Sequence, residues 1–119
     1  MEHKRSDFEI MAPVGSYESL MAAIESGANS VYFGIENLNM RSRSASNFTT
    51  DDLREIVKIC KENNIKSYLT VNTVIYNDDL DMMRKIIDTA KEVEVSAIIA
   101  ADVAAMLYAY KVGVEVHLS

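Results

Sequence analysis

A polar, basic segment follows the second predicted strand of this 119-residue chain. The apolar run 31–33 reaches Gly34, and Arg41 and Arg43 lie two residues apart in the long segment after it. In an extended stretch, residues two apart point to the same side, so both guanidinium groups could grip one carboxylate or phosphate. The alternative is a solvated loop whose arginines pair with nearby acids. A long polar loop at the carboxyl end of a strand is where α/β folds place their sites.

Composition restricts the class of protein. Hydrophobic residues make up 49% of the chain, charged residues 25%, and the net charge is −6. An acidic chain of this kind does not suit general binding to nucleic acids or membrane surfaces, which present phosphates to a basic face. No apolar run approaches the roughly 20 residues that span a bilayer, and the first residues lack the apolar stretch of a signal peptide. We expect a cytoplasmic protein that does not bind membranes.

The single cysteine, Cys60, excludes an internal disulfide and any cysteine-built metal or iron–sulfur site within these residues. It shares a helical pattern with Ile56, Val57 and Ile59. The pattern predicts that Cys60 is a small buried hydrophobe rather than a nucleophile.

Strand and helix patterns alternate along the chain. Ser16 is placed to cap the first helix, and Thr49 with Asp52 resembles a capping box for the second. Four similar helix-to-strand junctions indicate a repeated βα unit and a parallel sheet with right-handed crossovers. We expect an extended or disordered start over residues 1–7 and one partial βα-barrel domain over residues 8–119 that stops after strand five. Predicted strands cover residues 8–12 (ended by Pro13), 30–34, 66–71, 97–101 and 114–119; predicted helices cover 17–26, 50–63, 77–93 and 102–110.

Two parallel architectures fit these elements: a five-stranded doubly wound sheet, or the first five strands and four helices of a TIM-barrel-like domain. Strands three and five alternate apolar with polar residues, whereas strands covered on both faces should be almost wholly apolar. The alternation favours the barrel, with a polar inner face. Asn72 and His117 then lie near the carboxyl ends of their strands, the catalytic rim of a barrel. A hydrogen-bonded structural histidine, or an exposed one, is the alternative for His117.

Four segments together resemble a known family. Residues 10–34 (IMAPVGSYESLMAAIESGANSVYFG), 39–48 (NMRSRSASNF), 68–73 (YLTVNT) and 117–119 (HLS) resemble, in this order, the amino-terminal part of the collagenase-like peptidases, family thirty-two of the peptidases of unassigned mechanism. The resemblance implies a barrel-like catalytic domain of which this chain is the opening portion, with the peptidase signature and the cluster cysteines of some relatives downstream. The rim positions that it implies are Pro13, Gly15, Asn39, Arg41, Arg43, Asn72, Asp102 and His117.

A peptidase is the first functional hypothesis. Arg41 and Arg43 would hold a peptide carboxylate, Asn72 would orient a carbonyl, and His117 or Asp102 would move protons. The rim residues Asn39, Pro13 and Gly15 would line the substrate pocket. Hydrolysis is expected of the complete protein, and this chain alone is expected to be an inactive fragment.

Two alternative hypotheses assign the chain to other functional classes than the peptidases. Some relatives of the same family resemble iron–sulfur accessory proteins for hydroxylation of tRNA, rRNA or quinones, whose cluster cysteines would lie downstream of this segment. This segment needs no cofactor under either enzyme hypothesis, although the complete protein could hold a metal ion or a cluster. The third hypothesis is a non-catalytic interaction module. Because a partial barrel leaves two sheet edges and an inner face uncovered, we expect self-association or pairing with the missing part of the barrel.

Overall fold

The computed structural model describes residues 10–35, 48–71, 80–100 and 103–118. Within these ranges five strands alternate with four helices. The strands are β1 (Met11–Pro13), β2 (Ser30–Gly34), β3 (Lys66–Val71), β4 (Ala97–Ala100) and β5 (Val116–Leu118); the helices are α1 (Tyr17–Glu25), α2 (Thr50–Glu62), α3 (Leu80–Val93) and α4 (Val103–Val112). None of the helices in these ranges is both long enough and apolar enough to cross a membrane.

The order of the strands decides between the two architectures. All neighbouring strands are parallel, and their order in the sheet is β1-β2-β3-β4-β5. A doubly wound sheet reverses direction at a switch point, so that helices cover both faces. Here the order never reverses, and right-handed crossovers therefore place successive helices on one face. This is the arrangement of the first part of a βα barrel, as the alternating strands predicted.

The core lies between that face of the sheet and the helices. Val31, Leu69 and Ile98 from three neighbouring strands are completely buried. They belong to one cluster with Leu53 and Ile86, which come from the inner faces of α2 and α3. Burial of apolar side chains at this interface is the main stabilising contribution in such a fold. Cys60 is a buried member of the same cluster, which confirms the prediction that it packs as a small hydrophobe.

All four helix-to-strand junctions use the same backbone device. A residue with positive φ follows each helix: Gly27 (φ 85°), Asn64 (φ 58°), Glu94 (φ 65°) and Gly113 (φ 91°). The next residue donates its N–H to the carbonyl five positions back, with N···O distances of 2.8–3.1 Å. These are the bonds of the Schellman motif, which satisfies the last carbonyls of a helix and turns the chain sharply. The repeated junctions of the sequence therefore correspond to one repeated structural unit.

The predicted helix starts are confirmed at α1 and α2. Ser16 and Thr49 are the N-cap residues, and each takes part in a reciprocal capping box with the residue three positions later. At Thr49 the partner is Asp52, as predicted from the sequence.

The edge strand β1 differs from its prediction. It includes Pro13, which the sequence pattern placed just beyond the strand. The ladder continues past this residue because the N–H of Val14 donates to the carbonyl of Tyr32 at 2.9 Å. Consecutive N–H groups of a strand point to opposite sides, so the N–H that Pro13 lacks is on the side of β1 without a neighbour in the described part of the chain. Proline is tolerated at such a position of an edge strand.

Strand β1 also begins at Met11, so the predicted strand residue 10 lies before it, and two further boundaries differ. Helix α4 continues to Val112, two residues beyond its prediction, and β5 begins at Val116 rather than at residue 114. Val114 instead closes the junction after α4 through its bond to the Ala109 carbonyl. The predicted starts of α3 at residues 77 or 78 and of α4 at residue 102, together with the first strand's residues 8–9, lie outside the described residues.

Candidate active site on the open face of the sheet

We call the face of the sheet that points away from the helices the open face. Two rows of side chains on this face lie toward the carboxyl ends of the strands. The strand register places Gly34, Thr70, Ile99 and His117 side by side in the upper row, nearer the carboxyl ends. The lower row consists of Pro13, Tyr32, Tyr68 and Ala97. In a βα barrel this face lines the interior, and the carboxyl ends of the strands form the catalytic rim.

His117 occupies the β5 end of the upper row. Its Nε2 lies 2.8 Å from Oε2 of Glu115, which is two residues earlier and so points to the same face. The imidazole also contacts the ring of Tyr68, with ring centroids 5.7 Å apart and planes inclined by 41°. Two parts of the chain therefore hold the ring, since Glu115 lies directly before β5 while Tyr68 comes from β3.

Tyr68 reaches His117 across the intervening strand β4. Ala97 on β4 is the register partner of Tyr68, and its side chain is a single methyl group. A larger residue at position 97 would fill the space between the two rings. The contact therefore depends on a small residue that carries no chemistry of its own.

Gly34 and Thr70 form a second constrained pair in the upper row. The hydroxyl of Thr70 donates to the carbonyl of Phe33 at 3.2 Å. A Cβ atom at position 34 would lie 3.1 Å from this hydroxyl oxygen, which is tighter than ordinary van der Waals contact. Gly34 therefore leaves the β2 end of the upper row without a side chain. A larger residue at this position would displace Thr70.

Pro13 and Gly15 lie at the carboxyl end of β1, where the resemblance placed them. Pro13 belongs to the lower row. Apart from its chain neighbours, no described residue has an atom within 4 Å of the position that a Cβ on Gly15 would take. The N–H groups of Gly15 and Ser16 both donate to the Ser19 hydroxyl at 3.0 Å. The turn into α1 thus satisfies its own donors.

Five predicted site residues lie outside the described residues: Asn39, Arg41, Arg43, Asn72 and Asp102. The described part of the chain resumes at Phe48 after the segment with the two arginines. Phe48, next to that segment, packs edge-to-face against Phe33 and Tyr17 with centroid distances of 6.1 and 5.7 Å. Its aromatic ring is buried. Phe48 itself therefore lies in the core beside the carboxyl end of β2.

Comparison with known proteins agrees with this architecture. The model of a protein family described as peptidase family U32 matches residues 15–119. The chain belongs to this family. A protein named collagenase from Porphyromonas gingivalis is 69% identical over 114 residues, which cover 96% of this chain and 28% of that protein. A tRNA hydroxylation protein, P1, from Bacillus subtilis is 34% identical over 93% of this chain and 26% of its own length. The chain thus spans little more than a quarter of the length of these two relatives.

A solved structure provides separate support for the fold. A crystal structure of a candidate alpha-amylase from Salmonella typhimurium matches 98% of this chain and 32% of its own chain, with a TM-score of 0.56 and 10% identity. At that identity the likeness concerns the fold only. It agrees with a U32 chain that forms five strands and four helices of a barrel-like domain.

Sequence reasoning missed two neighbours of His117. Glu115 was recognised only as a polar residue of the alternating strand, although the Glu-x-His spacing on a strand is a signal that could have identified it. Tyr68 carried no such signal, because its contact with His117 spans 49 positions and two strand pairings. Among the described residues of this U32 chain, no group of three His, Cys, Asp or Glu side chains is placed to hold a metal ion.

Proposed function

We propose that the complete protein hydrolyses peptide bonds and that the open face of this chain forms one wall of its substrate pocket. Membership of peptidase family U32 and 69% identity to a protein named collagenase support the reaction class. The observation that carries the proposal is the position of His117 at the carboxyl end of β5, on the open face and in contact with a carboxylate. Active sites of βα barrels are built at these strand ends.

His117 is proposed as the group that moves protons. In hydrolysis, the oxygen of water adds to the carbonyl carbon of the peptide and the carbon–nitrogen bond then breaks. The proton that water loses passes through the imidazole to the leaving amine, so the histidine ends the cycle unchanged. Among side chains, histidine has the ordinary pKa best matched to accepting and returning a proton near neutral pH. Asp102 is the other proposed proton carrier, since it directly follows the region in which β4 ends.

The remaining proposed roles concern binding. Arg41 and Arg43 would hold a carboxylate of the peptide, Asn39 would line the same part of the pocket, and Asn72 would orient the scissile carbonyl. Pro13 and Gly15 would border the pocket at β1, where none of the described residues beyond its chain neighbours crowds Gly15. Because this chain spans 28% of the length of its collagenase relative, we propose that it does not hydrolyse peptides by itself.

A role in RNA hydroxylation is the second proposal. It is supported by 34% identity to a tRNA hydroxylation protein over nearly the whole chain. Under this proposal the arginines would contact an RNA phosphate. An iron–sulfur cluster would need cysteines from outside these residues, since Cys60 is the only cysteine of the chain and is buried.

The two proposals are separated by expressing the complete reading frame under anaerobic conditions and measuring peptide hydrolysis together with the visible absorption of an iron–sulfur cluster. Hydrolysis without a cluster supports the peptidase. A cluster without hydrolysis contradicts it and supports hydroxylation chemistry.

The arginine pair is tested in the same protein. Arg41→Ala with Arg43→Ala is expected to reduce turnover by at least about a hundredfold, because loss of a charged binding pair removes both affinity and orientation. The matched control is Arg54→Ala with Arg84→Ala, which removes two exposed arginines from the outer helices. Equal turnover in the two double variants would remove Arg41 and Arg43 from the mechanism.

A further inference from the structure

We infer that Glu115 is a positioning residue for His117, and that it fixes the imidazole as the tautomer with the proton on Nε2 and the free lone pair on Nδ1. The inference rests on the proposed function for its catalytic meaning, because His117 is the proton carrier proposed there. Its physical content is independent of any reaction. It concerns which ring nitrogen carries the proton and what holds the ring.

The geometry selects one tautomer. The Nε2–Oε2 distance of 2.8 Å is that of a good hydrogen bond. An ionised carboxylate only accepts hydrogen bonds, so the proton between them must belong to Nε2 when the imidazole is neutral. A neutral imidazole carries one N–H, and Nδ1 is then the basic nitrogen. None of the described residues forms a hydrogen bond with Nδ1, and the inference assigns this nitrogen to a substrate or a water molecule.

The solvent exposure of His117 and Glu115 indicates that their contact orients the imidazole rather than stabilises the fold. The side chains of His117 and Glu115 are 47% and 68% exposed. Ion pairs at such exposure contribute little to the stability of the fold. The ring of Tyr68 adds a second contact, which restricts rotation of the imidazole from the β3 side. Together the two contacts hold a ring that is accessible from the open face.

The proposed role of Glu115 is analogous to that of the carboxylate in a catalytic triad. That carboxylate holds a histidine in one tautomer and stays ionised itself. In this chain the carboxylate comes from two residues earlier, directly before β5. One short segment, residues 115–117, thus supplies both the proposed base and the group that orients it.

The test is the tautomeric state of His117 in the ¹⁵N-labelled chain, measured by long-range ¹H–¹⁵N correlation at a pH at which the imidazole is neutral. His3 is the only other histidine, so His3→Gln assigns the signals. We expect a single tautomer with Nε2 protonated. In Glu115→Ala, the ring should become a mixture of both tautomers, and the Nε2–H signal should broaden through exchange with water. Glu62→Ala, which removes an exposed glutamate at the end of α2, is the matched control and should leave the spectrum unchanged.

Circular dichroism of each variant verifies that the fold persists, as the exposure of the pair predicts. A wild-type spectrum with Nδ1 protonated, or the same tautomer and exchange rate in Glu115→Ala as in the wild type, would overturn the inference. If the complete protein hydrolyses peptides, Glu115→Ala should lower kcat by about tenfold or more with KM changed less than about twofold, and Glu115→Gln should restore part of the loss. Absence of hydrolysis would contradict the proposed function and leave the tautomer result to decide this inference.

Discussion

The hydroxyl of Tyr17 donates a 2.7 Å hydrogen bond to the carboxylate of Asp52 and thereby joins the first turn of α1 to the first turn of α2. Asp52 also closes the capping box with Thr49. Phe48 packs against Tyr17 beside this bond. The start of α2 is therefore held against α1 by one aromatic contact and one charge-assisted hydrogen bond.

Tyr17→Phe should weaken this connection while it keeps the ring that packs against Phe48. Loss of one exposed hydrogen bond to a carboxylate is expected to lower the free energy of unfolding by about 1 kcal/mol. Urea denaturation followed by circular dichroism measures the change. Tyr110→Phe is the matched control, because Tyr110 is 79% exposed on α4, and it should have almost no effect. Equal stability of both variants would show that the Tyr17 bond contributes nothing.

The same bond predicts a dependence of stability on pH at both ends of the scale. Burial, and then the hydrogen bond and negative charge of Asp52, raise the pKa of Tyr17 well above its ordinary value of 10.0. Its contribution is complete below about pH 10, where tyrosine in the unfolded chain is neutral, and decreases as the pH rises above that value. The loss of stability above pH 10 should be smaller in Tyr17→Phe than in the wild type.

Asp52 makes the stability of the fold depend on pH in the acidic range. Burial acts to raise the pKa of Asp52, but hydrogen bonds from the Thr49 backbone, the Tyr17 hydroxyl and the Thr49 side chain together lower it below 3.8. The stabilisation is complete above the pKa of the unfolded chain, about 4, and is lost as the pH falls through the lower folded value. Urea midpoints at pH 7, 4 and 2 should therefore decrease more for the wild type than for Asp52→Ala. Parallel curves would contradict the assignment.

Glu94→Gly should stabilise the chain. Glu94 is the only one of the four junction residues with positive φ that is neither glycine nor asparagine. A left-handed conformation costs an ordinary residue roughly 1–2 kcal/mol, of which glycine recovers part. Glu94→Ala retains this strain and loses the same exposed ion pair with Lys61, so it is the matched control. We expect Glu94→Gly to exceed Glu94→Ala by about 1 kcal/mol in thermal or urea unfolding. Equal stabilities would contradict backbone strain at this junction.

Cys60 should resist thiol reagents in the folded chain. Its side chain is completely buried, and burial raises the pKa of the thiol to about 11, so little thiolate is available near neutral pH. Reaction with Ellman's reagent should be slow in buffer and rapid in concentrated urea. Cys60→Ser places a hydroxyl in the apolar cluster and should destabilise the fold by about 1–3 kcal/mol, more than Cys60→Ala does. Rapid labelling of the folded chain would contradict this account.

The outer surface of α4 should mediate association. Val103, Leu107 and Tyr110 recur at helical spacing and are 63%, 57% and 79% exposed. An apolar stripe of this kind is a surface that other protein segments bind. The chain should self-associate in sedimentation measurements. Val103→Lys with Leu107→Lys should raise the dissociation constant of this association by at least about tenfold, a change in binding free energy similar to that from burying one aliphatic side chain. Met21→Lys on α1, which replaces a similarly exposed apolar residue at the other end of the sheet, serves as the control. A monomer at all concentrations would refute the prediction.

Local chemistry made much of this fold predictable from the amino-acid sequence. The order of strands and helices, the capping boxes at Ser16 and Thr49, and the burial of Cys60 depend on residues within one or two helical turns of each other. The repeated junctions were recognisable for the same reason, since each is closed by a bond between residues five positions apart. The family also followed from the order of its motifs.

The tertiary structure alone decided which strands are neighbours and what meets on the open face. Whether β1 is an edge strand determines how Pro13 fits, and the sequence around Pro13 contains no information about its unpaired side. Tyr68 and His117 are 49 positions apart and meet only because β3, β4 and β5 pair in order across the small residue Ala97. Contacts of this range depend on the register of the whole sheet, which is a collective property of long-range packing rather than of any local pattern.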